Sequence, residues 1–169
     1  MKNQPQAKQP QIEKRPVDVL LDEYASFHTN PTNRVINYFC IPLVSFGILA
    51  FVWSIPFPVL GFLGENKGFL NWASFLVAFS LYYYLRLSPM LSYLMLFCLG
   101  VFSYTIVLLE QNFVLAQIGL MLFVIGNIGQ LVGYKKEGRR PIFAQDFKFM
   151  LIGPMWLFSL ILRKFKIRY

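Results

Sequence analysis

The chain has 169 residues, of which 56% are hydrophobic and only 14% charged, and carries a formal net charge of +8 with a mean hydropathy of +0.51. Soluble domains carry roughly 25% charged residues, so an ordinary soluble globular protein is excluded and the bilayer becomes the expected solvent. The surplus positive charge lies between and beyond apolar tracts, which suits membrane orientation and anionic headgroups and argues against nucleic acid as a partner.

In chain order, residues 1–16, MKNQPQAKQPQIEKRP, hold no apolar stretch typical of a signal peptide and read as a disordered cytosolic tail. The remainder, 17–169, reads as a single transmembrane helical domain. Residues 17–27 carry Val19, Leu20, Tyr24 and Phe27 at helical spacing, with Asp18, Asp22 and Glu23 on other faces, as in a short helix lying on a membrane surface. Asn30 is a good N-cap, and Pro31 fits the first helical position, where its missing N–H costs nothing. A helix is therefore predicted from Pro31 to about Trp53, with a kink at Pro42, long enough for a hydrocarbon core that needs roughly 20 residues. Residues 69–87 and 89–109 form two further spans joined by a tight turn, and 113–133 a fourth. The last tract, 147–162, is short for a span and has Gly153-Pro154 in its middle, so it is expected to be half-embedded or interfacial.

Charge asymmetry tests this topology. With four spans, one side carries Lys2, Lys8, Lys14, Arg15, Arg34, Arg86, Lys135, Lys136, Arg139, Arg140 and Lys148, and the other only Lys67. The positive-inside rule makes the rich side cytosolic. Arg163, Lys164, Lys166 and Arg168 join it only if the last tract does not cross. The expected fold class is thus all-α: an integral membrane bundle of about four transmembrane helices plus a short C-terminal helix, N-terminus cytosolic, in a bacterial inner membrane or the endoplasmic reticulum.

Two polar clusters then face the same compartment. The first, HTNPTNRVIN, holds the chain's single histidine, His28, with Asn33 and Asn37 four residues apart on one helical face. In the second, Asn127, Gln130 and Tyr134 share a face of an otherwise apolar helix, followed by Glu137, Arg139 and Arg140. Polar faces of apolar helices look toward protein or water. Amides bonded between helices to pin the bundle would account for them, and so would a pocket at headgroup level. His28 fits a hydrogen-bonding role or a metal ligand, and Arg139 and Arg140 fit either an anionic lipid surface or the carboxylate of a fatty acid. Cys40 and Cys98 sit in apolar tracts with no metal-ligand spacing. Phosphate loops and Ser-His-Asp sets are missing, and no span carries the mid-membrane acid or base of an ion path.

These clusters resemble a family of small membrane proteins similar to the fungal 2-hydroxy fatty acid dioxygenase of phytosphingosine breakdown. The family's first cluster has the form H-x-N-P-x-N-x-x-I-H followed by a proline, matched here by His28, Asn30, Pro31, Asn33, Ile36, Asn37 and Pro42. Its second, Q-x-x-G-H with a Glu-Gly-Arg/Lys-Arg/Lys-Pro run and a later Gly/Ala-Pro, is matched by Gln130, Gly133, Tyr134, Glu137, Gly138, Arg139, Arg140, Pro141 and Gly153-Pro154. The resemblance implies an iron(II) enzyme that removes one carbon from a long-chain 2-hydroxy fatty acid using O2, with His28, Asn33, Asn37, Gln130, Tyr134 and Glu137 at the catalytic positions, His28 on the metal, and Arg139 and Arg140 on the substrate. It also exposes a departure. The histidine closing the first motif is Asn37 and the one after Gly133 is Tyr134, which leaves one imidazole where iron(II) favours two with a carboxylate. Glu137, Asp146, Asp22 and Glu23 are the carboxylates available to compensate in part; the alternative is an inactive relative that binds lipid or serves a structural role.

Overall fold

The computed structural model describes residues 14–58, 70–138 and 143–169. These residues form six helices: α1 (Pro16–Ser26), α2 (Pro31–Trp53), α3 (Trp72–Leu87), α4 (Pro89–Glu110), α5 (Leu115–Glu137) and α6 (Phe143–Lys164). The sequence signals act where the residue chemistry puts them. Asn30 accepts from the backbone N–H groups of Thr32 and Asn33 to cap α2, with Pro31 in its first turn. Asn71 and Ser74 close a reciprocal capping box on α3, and Ser88 caps α4 ahead of Pro89. At the end of α5, Gly138 adopts the left-handed conformation (φ 69°) that ends helices without a Cβ penalty. α2 and α6 run on without a break through Pro42 and Pro154, and α6 begins four residues before the predicted tract.

Two buried clusters locate the ends of the bundle. One gathers Leu49 and Ala50 of α2, Ala73 of α3, Ile106 of α4 and Leu115 of α5. The other joins Ile41 of α2, Tyr84 of α3, and Leu91 and Met95 of α4 to α1 and α6. α2 to α4 therefore alternate in direction, and contacts between α2 and α5 show that α5 runs antiparallel to α2. The buried apolar side chains of α6, from Phe149 to Leu162, all belong to the second cluster, so α6 stays at one end, against α1, α2 and α4. α1 buries Val17, Leu21 and Tyr24 there, while Glu23 pairs with Lys148 at 2.6 Å and Asp22 with Lys14 at 2.7 Å.

Three of the helices, α2, α4 and α5, are long and apolar enough to cross a membrane. α3 has 16 residues, which at 1.5 Å per residue gives about 24 Å, less than the roughly 30 Å of a hydrocarbon core; of the four spans expected from hydropathy it is the one that falls short of that length among the described residues, although it runs between the same two ends of the bundle as α2 and α4. Large apolar side chains such as Phe79, Phe97, Tyr104, Ile128 and Leu131 are exposed around α3, α4 and α5. An apolar surface on that scale, with three helices of spanning length, is consistent with a membrane protein.

The backbones of α2 and α5 approach each other closely. A Cβ placed at Gly47 would fall 2.7 Å from the Phe123 nitrogen and 2.8 Å from the Gly119 oxygen, and one at Gly119 would fall 2.6 Å from the Phe51 nitrogen. Gly126 and Gly133 follow Gly119 at intervals of seven, so small residues line one stripe of α5, as at close helix contacts in membranes. This seam fixes the register that brings the two polar clusters together.

Candidate functional site

A cavity of about 440 Å³ lies between α1, α2, α5 and α6, within the usual range of ligand pockets, roughly 300–1,000 Å³. Its polar wall is His28 and Asn37 from the first cluster and Asn127, Gln130 and Tyr134 from the second, while Ile41, Val44, Phe123, Leu131, Phe149 and Met150 make it apolar elsewhere. The two stretches singled out in sequence thus share one cavity. Leu131, 52% exposed, forms part of its rim on the outward face of α5.

His28 is held on three sides. Its Nδ1 lies 2.9 Å from the Tyr24 carbonyl oxygen, which can only accept, so Nδ1 carries a proton, and in the neutral ring Nε2 is then the acceptor nitrogen. The imidazole stacks on Tyr24, with ring centroids 4.3 Å apart, and packs at 5.4 Å against Trp156. Arg34 Nε donates to the His28 carbonyl oxygen at 2.7 Å, closing the turn between α1 and α2.

Asn33 and Asn37 are buried to 0% and 3% exposure and bonded to each other. Asn37 Nδ2 donates to Asn33 Oδ1 at 2.7 Å and to the Asn33 carbonyl oxygen at 3.0 Å. Asn33 Nδ2 donates to Glu137 Oε2 at 3.1 Å. Glu137 also accepts from the backbone N–H of Thr29 at 2.6 Å, from the Thr29 hydroxyl, and from the backbone N–H of Asn30 at 2.9 Å. A carboxylate at the N-terminus of α2 satisfies unpaired N–H groups and meets the positive end of the helix dipole. Glu137 therefore ties the end of α5 to the start of α2.

Of the predicted site residues, His28, Asn37, Gln130 and Tyr134 line the cavity, and Asn33 and Glu137 lie behind Asn37. Arg139 and Arg140 lie outside the described residues, as does the side chain of Asp146. Asp22 and Glu23 are engaged in ion pairs on α1. Reasoning from sequence missed Tyr24 and Trp156, which pack against the imidazole and against each other at 5.1 Å, and Phe149 and Met150, which line the cavity from α6. Tyr24 was legible in part, because it stands four residues before His28 on a helix; nothing in the local pattern around Trp156 announces its neighbour.

These residues make a poor donor set for iron(II). Among the described residues, no three His, Cys, Asp or Glu side chains gather to hold a metal ion. The cavity lining offers one imidazole, three side-chain amides, the phenols of Tyr24 and Tyr134 and the Ser45 hydroxyl. Amide oxygens are weak ligands for iron(II), and a phenol with a pKa near 10 must lose its proton to bind well. Glu137, the carboxylate nearest in sequence to Tyr134, spends its oxygens on α2. The described donor set does not fit the two-imidazole, one-carboxylate iron site.

The fold and cavity define a helical, membrane-type protein with a polar-headed, apolar-walled pocket at one end of the bundle. The family profile described as 2-hydroxy-palmitic acid dioxygenase Mpo1-like matches residues 15–165, and the chain belongs to that family. No curated protein and no solved structure matched the chain.

Proposed function

We propose that this protein is a multi-pass membrane member of its family that receives the head of a long-chain 2-hydroxy fatty acid in the cavity between α1, α2, α5 and α6, as a lipid-binding relative that does not run iron(II) dioxygenase chemistry. The observation that carries this is the cavity wall, with neutral polar groups of His28, Asn37, Asn127, Gln130 and Tyr134 on one part and an apolar lining on the rest. Such a division suits a headgroup joined to an acyl chain. Arg139 and Arg140, which follow α5 in sequence, supply guanidinium partners for the carboxylate. The distribution of Lys and Arg supports a topology with the N-terminus, α1, α6 and the cavity on the cytosolic side of a bacterial inner membrane or the endoplasmic reticulum, with α2, α4 and α5 crossing and the shorter α3 returning the chain between α2 and α4.

Metal analysis and turnover of the purified protein test this. Expected are bound lipid, less than stoichiometric iron, and 2-hydroxypalmitate left unchanged under O2. The double variant Asn37→His with Tyr134→His, which supplies the family's missing imidazoles, is expected to raise iron content.

One observation favours a second reading, in which the protein is an iron(II) 2-hydroxy fatty acid dioxygenase with His28 on the metal. The Nδ1–H of His28 donates to a backbone carbonyl, the arrangement that orients metal-binding imidazoles and presents Nε2. Stoichiometric iron and release of a product one carbon shorter from the unaltered protein would establish this reading and overturn the first.

A further inference from the structure

The amides behind the cavity form a chain with one direction. At its far end stands the Glu137 carboxylate, whose oxygens face the backbone N–H groups of Thr29 and Asn30; groups that can only donate require it to accept. Asn33 must then turn Nδ2 toward it. That orientation is fixed a second time, because the same Nδ2 lies 3.4 Å from the Phe27 carbonyl oxygen, another obligate acceptor. With Nδ2 so placed, Asn33 presents Oδ1 to Asn37. Asn37 in turn directs Nδ2 at both Asn33 Oδ1 and the Asn33 carbonyl oxygen. Neither amide can flip without setting like poles against each other. Asn37 is 3% exposed and lines the cavity, so its Oδ1 is the polar atom left for whatever binds there. Buried polar atoms are costly without a partner.

We infer that Asn37 reads a hydrogen-bond donor on the ligand, with Glu137 and Asn33 as positioning residues that hold its acceptor toward the cavity. This rests on the proposed function and deepens it: the 2-hydroxyl is the donor on the acyl chain, and an acid without it leaves Asn37 Oδ1 unpaired. An imidazole at this position could turn either a donor or an acceptor to the cavity with its tautomer; the anchored amide offers only an acceptor.

The test is binding of three C16 acids to the unaltered protein in lipid nanodiscs. 2-Hydroxypalmitate donates, 2-fluoropalmitate has a similar size at the same carbon without a donor, and palmitate has neither. One hydrogen bond to a desolvated acceptor makes about a tenfold preference for the hydroxy acid over the fluoro acid the expected result. Asn37→Leu should bring that ratio close to one, and Glu137→Gln, which removes the accept-only anchor, should lower it by about threefold. The ratio between two ligands is unaffected by the fraction of protein that fails to fold. Equal affinity for the hydroxy and fluoro acids overturns the donor rule while leaving lipid binding intact. A preference that survives in Asn37→Leu overturns the role of Asn37, and one undiminished in Glu137→Gln overturns the relay. Failure to bind any of the three overturns the proposed function and this inference together.

Discussion

The two ends of the α2–α5 pair are held by different physics. Near Gly47 and Gly119, backbone lies on backbone, and removal of every side-chain atom lets dispersion act at the shortest range. Near Asn33 and Gly133, the helices meet through amides, a carboxylate and exposed helix-end N–H groups. Close packing of small residues joins helices in hydrocarbon without polar bonds. A polar network there costs desolvation unless every member is satisfied. The polar end is therefore better explained by what it presents to the cavity than by cohesion.

The sharpest way to break this comparison is at the glycine end. Gly119→Val drives a branched side chain into the backbone of α2 and should destabilise the bundle by about 3 kcal/mol, read as a lower unfolding midpoint in detergent, with the cavity lost as the helices part. Glu137→Ala comes next. It leaves the N–H groups of Thr29 and Asn30 and the Asn33 amide without an acceptor, and should cost about 2 kcal/mol by the same measurement. If it costs as much as Gly119→Val, the polar end is a structural clamp after all.

Asn37→Leu should be milder, about 1 kcal/mol, because the loss of its hydrogen bonds to Asn33 is offset by apolar burial; its main effect belongs in ligand preference. The smallest expected effect is at α1, well away from the seam. A hydrogen bond from Lys14 holds the Asp22 carboxyl below its usual range, helped by the charges of Lys14 and Arg163. Because the folded-state value is depressed, this contribution is present above the unfolded carboxyl pKa and is lost as pH falls through the folded one. Asp22→Asn should leave stability at pH 7 nearly unchanged, since exposed pairs contribute little, and should flatten the acid limb of a stability–pH curve slightly.

Composition and local chemistry determined much of this protein by themselves. Asn30 with Pro31, and Pro89 at the head of the next tract but one, placed helix starts correctly, because an N-cap and an N-terminal proline act within a single turn. The apolar tracts marked α2, α4 and α5 because a hydrocarbon core imposes a length that can be counted. The two polar clusters and the family to which they belong were legible as motifs, since the spacing of Asn33 with Asn37, and of Gln130 with Tyr134, already sets each pair on one helical face.

Tertiary structure decided what those motifs touch. Glu137 looked like a spare carboxylate beside a metal position, yet it lies at the N-terminus of α2, 107 residues away in sequence from Asn30. The seven-residue glycine stripe, visible in the chain but silent without its partner, sets the register that makes this meeting possible. Trp156 and Phe149 reach His28 and Tyr24 only because α6 folds back against α1. Local sequence fixes which face of a helix a side chain occupies; which second helix meets that face depends on the packing of the whole bundle.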